Sequence, residues 1–449
     1  MLIGCDFKMR KIVFIIGLLS ICIDVLPKSI NDKVGESVYK LFSKENANYI
    51  IRNKYEFNDT LRIPKNCSIF FRGGALVGPI VFQDTKLKGD VDLKGSSISG
   101  SLSIEQFDAS WLCYRDGLHD DAKPINEILA ICGKVFFPKG RYRLISKLEE
   151  PEGLPGKLST HLAINKNNTH IQGEDGSVFV TYEPLRTLCI YSPPGHIDNS
   201  TSNIKIKGMT FEVHNNGETF FEFMHTIRTI GVDGLIIEGC IFDDFWGDAI
   251  CLSTYDDTPQ TGERTRNQNV RILNNKIVGG NHHNNRNGIS VVNGKNVTIK
   301  NNIIRNTSRN NMPGGIDVEP NNSAYTIDNI MIQRNLLDGI KGSNGAISVC
   351  TFKGGAAHRI IIKNNEIRNS SNGLYVYLKT DRTTDNYVII NNIVDSNTNP
   401  YRFVGNGISR DWTISGNTFN KPCSQAIPGD IKVENIVVKK NKLAKLLNF

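Results

Sequence analysis

The sequence predicts an all-β chain: a single-stranded right-handed parallel β-helix with an N-terminal capping helix and a small β-rich preface. Three observations carry that prediction. A short apolar phrase recurs through the second half of the chain, a second strand of constant pattern follows it in each repeat, and Gly and Asn are conspicuous from about residue 200 onward.

The phrase is apolar-x-apolar-x-x-Asn or a near relative. It begins at Ile204, Leu235, Val270, Val297, Ile330, Ile360, Trp412 and Ile436, with a degenerate copy at Val388. Full copies read Val270-Arg-Ile272-Leu-Asn-Asn275 and Ile360-Ile-Ile362-Lys-Asn-Asn365. The soft spacing of the copies is that of a solenoid coil, not the fixed period of a propeller or ankyrin array. Alternating apolar residues turn one face of each strand inward, and stacking the coils buries a continuous apolar column. The recurring Asn275, Asn302, Asn335, Asn365, Asn417 and Asn441 are expected to stack at a turn, each amide bonding to the coils above and below.

The second strand appears in Gly247-Asp-Ala-Ile-Cys-Leu-Ser253, Arg286-Asn-Gly-Ile-Ser-Val-Val292, Pro313-Gly-Gly-Ile-Asp-Val-Glu319, Asn344-Gly-Ala-Ile-Ser-Val-Cys350 and Ser371-Asn-Gly-Leu-Tyr-Val-Tyr377. In this register Ile250, Ile289, Ile316, Ile347 and Leu374 stack inward, and so do Leu252, Val291, Val318, Val349 and Val376. Side chains on a strand alternate with period two, so two columns face outward. One is Cys251, Ser290, Asp317, Ser348, Tyr375. The other is Ser253, Val292, Glu319, Cys350, Tyr377. The Gly or Ala before each inward residue leaves a trough beside them.

A solenoid grows by adding coils, so the 449-residue length alone fixes no domain count. Hydrophobic content of 39% with 22% charged residues is globular and argues against disorder. Net charge of +8 favours an anionic partner. No run of Lys and Arg dominates, which argues against a nucleic-acid-binding arm. Lys8, Arg10 and Lys11 precede the apolar run Ile12 to Ile23, too short to span a bilayer and shaped like an export signal. Leu19-Ser20-Ile21-Cys22 is a poor lipoprotein signal, because Ile21 stands where a small residue is expected. The organisation expected is a leader over 1–28, a preface over 29–107 and the solenoid over 108–449, in a secreted, periplasmic or cell-surface protein. The ten cysteines show no close-spaced framework and are expected mostly as free, packed thiols. Oligomeric state is left open.

Asp116-Gly-Leu-His-Asp-Asp121, then Gly133-Lys-Val-Phe-Phe-Pro138-Lys-Gly140-Arg-Tyr142, resembles the opening segment of the pectate-lyase-like superfamily, which includes lyases, polygalacturonase-type hydrolases and phage tailspike depolymerases. With the coils, the resemblance covers about residues 108 to 443. It implies a carbohydrate-active extracellular protein and a helix closing the open apolar end of the solenoid, with Asp116, Asp120 and Asp121 as turn and capping residues. The superfamily hosts several chemistries, and fold does not choose among them.

Asp317 and Glu319 are the chemical candidates: two acids on one face, about 7 Å apart at the backbone. They suit the acid and base of a glycosidase or the ligands of a hard cation such as Ca²⁺. Around them the sequence places His282, His283, Arg286, Arg309, Lys353 and His358, with Ser290 and Ser348 one coil away on either side and Tyr375 two coils along. Asp248 resembles part of the Gly-Asp-Asp segment of polygalacturonase-like hydrolases but lacks the second adjacent acid. Trp246, Tyr375 and Tyr377 are candidate stacking surfaces for sugar rings. Three functions stay open: a lyase of an acidic polysaccharide, a hydrolase using Asp317 and Glu319, and a non-catalytic glycan binder. Charge and the His and Arg loops put the lyase first.

Overall fold

The computed structural model describes residues 29–149, 159–193, 201–254, 265–280, 285–307, 314–342, 345–421 and 432–443. Among these residues every strand-to-strand pairing in the sheets is parallel. Each coil of the main solenoid contributes to three ladders. The first runs through Asn267–Leu273, Gly294–Lys300, Thr326–Gln333 and Ala356–Lys363, within a 12-stranded sheet. The second takes Lys276–Val278, Ile303–Arg305 and Leu336–Asp338. The third takes Ile250–Ser253, Ile289–Val291, Ile316–Val318 and Ile347–Thr351. Parallel connections of this kind wind right-handed.

One apolar cluster fills the interior from Val38 to Phe419. In the second ladder the inward column runs Tyr142, Phe179, Phe211, Phe242, Ile277, Ile304, Leu337, Ile367. Its aromatic end is packed ring on ring, with Phe211 and Phe242 stacked 4.9 Å apart. The inward columns expected in the third ladder are buried and paired in the expected register.

The asparagine ladder stands at the turn between the first and second ladders. Asn302 Oδ1 accepts from both the backbone N and Nδ2 of Asn275, each at 3.0 Å, while Asn275 Nδ2 also donates to Ile237 O. The same three bonds repeat at Asn302, Asn335, Asn365, Asn392 and Asn417. Asn392 fills the rung that the degenerate copy at Val388 obscured. Cys240 heads the ladder, its N–H donating to Asn275 Oδ1.

The helix implied by the family resemblance is present at Ala122–Ile131, burying Ala122, Ile125, Ile128 and Leu129. It is internal, not terminal. Glu127 accepts from Ser97 Oγ and Ile98 N on the preceding strand, while Asn126 bonds His161 O and Ala163 N on the following side. The strands before it, from Ser29–Asn31 to Ser97–Leu102, are themselves parallel and share the apolar interior. A helix with sheet on both sides joins two stacks instead of ending one. Asp116, Asp120 and Asp121 accept backbone N–H groups around it, as turn residues do. The seven described cysteines Cys67, Cys113, Cys132, Cys189, Cys240, Cys251 and Cys350 are buried thiols.

Candidate active site

The outward columns of the third ladder have the expected register: Cys251 pairs Ser290, Ser290 pairs Asp317, Asp317 pairs Ser348 and Ser348 pairs Tyr375. Their exposure differs from expectation. Asp317 is 1% exposed, and Cys251, Ser290 and Ser348 are buried too. One reason lies in the turn before Ile289–Val291, which folds Asn287 back over the column: its Nδ2 donates to Ser290 Oγ at 2.9 Å and to Asp317 Oδ2 at 3.5 Å. Ser348 Oγ donates to Asp317 Oδ1 at 2.6 Å. Glu319 lies one residue past the end of the Ile316–Val318 strand, and its side chain remains 23% exposed.

Arg286 links this pair to a second set of acids. Its guanidinium lies 3.8 Å from Glu319, 3.7 Å from Asp248 and 3.5 Å from Glu222. Burial alone would lower the Arg286 pKa, but the charges of Asp248, Glu222, Glu319 and Asp317 raise it, so it stays a fixed cation. Burial raises Asp317, against the Ser348 hydrogen bond and the Arg286 charge, to about 6. Burial and then the Asp317 charge raise Glu319 to about 8. Close carboxyls titrate as a pair, and burial together with their mutual repulsion raises both above the usual carboxylate range.

Asp248 is fully buried, and burial raises its pKa. Its Oδ1 accepts from Asn287 N at 3.0 Å, and its Oδ2 lies 3.3 Å from His225 Nδ1. That nitrogen accepts the Asp248 backbone N–H at 3.1 Å, so it carries no proton of its own. Burial and then Arg186, Arg286 and Arg228 push the His225 pKa well below the usual range, keeping the ring neutral. The donor atoms of His225, Asp248 and Cys251 lie within 4.8 Å of one another. Burial raises the Cys251 thiol, and three guanidiniums surround the set, so it is ill suited to a cation.

Two cavities meet at this point. One of about 380 Å³ touches Arg186, Arg228, Arg286 and His225, and one of about 1130 Å³ touches Phe352, Lys353 and Lys379. Glu319, Asn321 and Tyr325 line both. The partly exposed Glu319 therefore stands at the junction of a groove running along the ladder. Tyr375 and Tyr377 stack with centroids 6.1 Å apart, and Phe352 packs against Tyr377 at 5.2 Å.

Two of the expected residues are placed elsewhere. Trp246 is 4% exposed and packs edge-on against Phe221, so it offers no face to a sugar. His358 sits on the first ladder, 3.3 Å from Asp385, not on the sheet that carries Asp317. His282, His283 and Arg309 lie outside the described residues. The sequence pattern did not single out Arg186, Glu222, His225, Arg228, Asn287 and Tyr325. Arg228 could have been found by extending the column backward, since Arg228 pairs Cys251.

No family model matches the sequence and no curated protein is similar enough to register. Solved structures do match. The family 28 exopolygalacturonase of Yersinia enterocolitica is 14% identical, with 76% of this chain and 72% of that one covered and a TM-score of 0.52. The surface adhesin PfbA of Streptococcus pneumoniae is 13% identical, over 75% of this chain and 93% of that one, at a TM-score of 0.42. The A-module of the mannuronan C-5 epimerase AlgE4 of Azotobacter vinelandii is 13% identical over 75% of this chain and all of that one, at 0.41. At such identities the exopolygalacturonase likeness speaks to architecture alone, and with the ladders described above it identifies the fold of the chain as a right-handed parallel β-helix.

Proposed function

We propose that the protein cleaves a polysaccharide by hydrolysis, with Glu319 as general acid and Asp317 as the ionised partner that acts as base. One observation carries this reading: Glu319 stands at the junction of two cavities with its pKa raised by burial and by the charge of Asp317, which is buried behind it, so a protonated acid faces the groove. Glycosidic cleavage needs a division of roles, one carboxylic acid to protonate the leaving oxygen and one carboxylate on the other side of the reaction. The Arg286 charge favours the ionised form of both carboxyls, while burial and the Asp317 charge make Glu319 the weaker acid.

The lyase expected from the sequence needs a group to take the proton α to a carboxylate. Among the described residues Arg286 is held as a cation, and His225 is buried with Nδ1 engaged. Ca²⁺ does not suit the donor set. A hard cation takes about six to eight oxygens, whereas Asp317 Oδ1 is engaged by Ser348 and a guanidinium lies 3.8 Å from Glu319.

The polysaccharide class is supported by the fold shared with an exopolygalacturonase, and an acidic chain is supported by the net charge of +8. Export is part of the same proposal and rests on the leader-like segment over 1–28. No helix among the described residues is long and apolar enough to cross a membrane. The test is to incubate the purified protein with uronic-acid and neutral polysaccharides, following reducing ends and the ultraviolet absorbance of unsaturated uronides. New reducing ends without that absorbance are expected. Both signals together would replace hydrolysis with β-elimination, and binding without either would leave a glycan-binding protein.

A further inference from the structure

We propose that the outward face of the second ladder binds a second copy of this chain, the two solenoids lying side by side and running in opposite directions. This surface is on a different ladder from Asp317 and does not depend on the reading above. Its outward column runs in register Thr210, Ile241, Lys276, Ile303, Leu336, Glu366, Ile393, Thr418. Ile241, Ile303 and Ile393 are 39%, 38% and 43% exposed, and Leu336, next to Ile303, is partly buried. Single exposed apolar residues are ordinary on a protein surface, but a line of them along one ladder, interspersed with charge, is the pattern of an interaction surface.

The order of the residues names the partner. About the midpoint between Ile303 and Leu336 the column matches itself in reverse: Ile303 against Leu336, Lys276 against Glu366, Ile241 against Ile393 and Thr210 against Thr418. A two-fold axis lying in the face along the strand direction, between those two rungs, reverses the stack and keeps each column opposite itself. It sets apolar residues on apolar ones and Lys276 on Glu366 twice, the self-complementarity that an isologous dimer requires. The adjoining outward column runs Glu212, Asp243, Val278, Arg305, Asp338, Arg368, and the same axis sets Arg305 against Asp338 at its centre. Within one chain Arg305 lies 3.6 Å from Asp338, and Arg368 2.5 Å from Glu366. Exposed pairs of this kind hold little energy alone, and a facing copy of the same charges extends them into a network. Asp243 and Asp395 are the like charges that meet, near the ends of the strip, where water and salt screen them. Solenoids packed in the same direction would instead set Lys276 on Lys276 and Glu366 on Glu366. Eight rungs at about 4.8 Å make the strip about 34 Å long, and three residues per strand make it about 10 Å wide, well under the ~800 Å² per partner of a standard interface. The dimer is accordingly a weak one, forming at micromolar or higher concentration.

Sedimentation equilibrium tests this on the native protein, K276E, E366K, the double variant K276E/E366K and I303S, over micromolar to millimolar concentrations. The native protein is expected to dimerise, and each single charge variant to weaken dimerisation about tenfold or more, the factor set by ~1.4 kcal/mol. The double variant exchanges the two charges and should dimerise like the native protein. An equimolar mixture of K276E with E366K should do the same, since each altered charge then faces its opposite. I303S removes apolar surface at the centre and should weaken association at any salt, whereas added salt should weaken the native dimer. Thermal melting followed by circular dichroism separates a folding defect from a lost contact. A native protein that stays monomeric throughout, a dimer untouched by I303S, or single charge variants that the exchange fails to restore would overturn the proposal.

Discussion

Two stacks of buried polar side chains run along this solenoid, and they are built on opposite principles. In the asparagine ladder every rung from Asn275 to Asn417 is the same residue making the same three bonds. In the cleft column, Arg228, Cys251, Ser290, Asp317 and Ser348 follow one another in register with no two neighbours alike. The ladder satisfies its donors and acceptors, which rigidifies a buried network. The cleft keeps two carboxyls away from their ordinary titration range. Repetition marks the part of the molecule that holds the coils together, and departure from repetition marks the part on which the proposed chemistry rests.

The sharpest way to break the comparison is to exchange the consequences of one substitution in each stack. Asp317→Asn keeps an acceptor for Ser348 Oγ but removes the base, so glycan cleavage should fall by about a thousandfold. The melting temperature should hold or rise, because an ionisable group leaves a buried site. Cleavage assays beside thermal denaturation check both, and full turnover in that variant removes Asp317 from the reaction.

Asn335→Ala should behave in the opposite way. It strips the acceptor from Asn302 N and Nδ2 and the donor from Ile299 O. Each buried group left unpaired costs about 1 to 3 kcal/mol, so a loss of about 3 kcal/mol is expected in chemical denaturation, with turnover at room temperature unchanged. A ladder variant that melts normally but fails to cleave would dissolve the distinction between the two stacks.

The ladder was legible in the sequence and the cleft was not, for a physical reason. Ladder and core positions repeat, so the inward column from Ile250 to Leu374 and the stacked amides could be read from spacing alone. Asp317 and Glu319 stood out as acids in a column of small and aromatic residues. Their burial did not, because it comes from Arg286 and Asn287, turn residues whose direction no period encodes. Arg228 and His225 lie in or beside Ile227–Ile230, a strand lacking the Gly-apolar signature that aligned the later coils. The helix Ala122–Ile131 was legible as a helix, but its internal position depends on Glu127 reaching Ser97, a contact across thirty residues.

Acidity should sharpen the contrast further. The base must be ionised and the acid protonated, so cleavage should follow a bell with limbs near about 6 and about 8, falling about tenfold per unit outside it. The same shifts bear on stability. Folding raises Asp317 from 3.8 to about 6 and Glu319 from 4.5 to about 8, so the folded chain holds protons that the unfolded chain has released. That contribution is complete below about pH 4 and is lost as pH rises through the folded values, so denaturation midpoints should decline between about pH 4 and pH 8. Glu319→Gln should remove the upper part of that decline. Asparagine amides do not titrate, so the ladder should contribute nothing to either curve, and an unchanged pH dependence in Glu319→Gln would place the titrating groups elsewhere.

The smallest expected effect concerns a second asparagine stack, at the start of the first ladder, which separates repetition for bonding from repetition for backbone shape. Asn269, Asn296 and Asn329 all have positive φ, and their exposed amides bond rung to rung: Asn296 Nδ2 donates to Asn269 Oδ1 at 3.0 Å, and Asn329 Nδ2 donates to Asn296 Oδ1 at 2.9 Å. The next rung in register is Arg359, also at positive φ, where no side-chain amide is available. The conformation therefore persists without the amide, which makes the left-handed turn the requirement and the surface bonds secondary. Asn296→Gly keeps that turn and should change stability by no more than about 0.5 kcal/mol, whereas Asn296→Ala must place a Cβ in it and should cost about 1 kcal/mol. Denaturation midpoints for the two variants decide the matter: equal losses would mean that the exposed amides stabilise the coil as the buried ladder does, and a loss confined to the alanine variant would mean that only burial makes an asparagine stack a stabilising one.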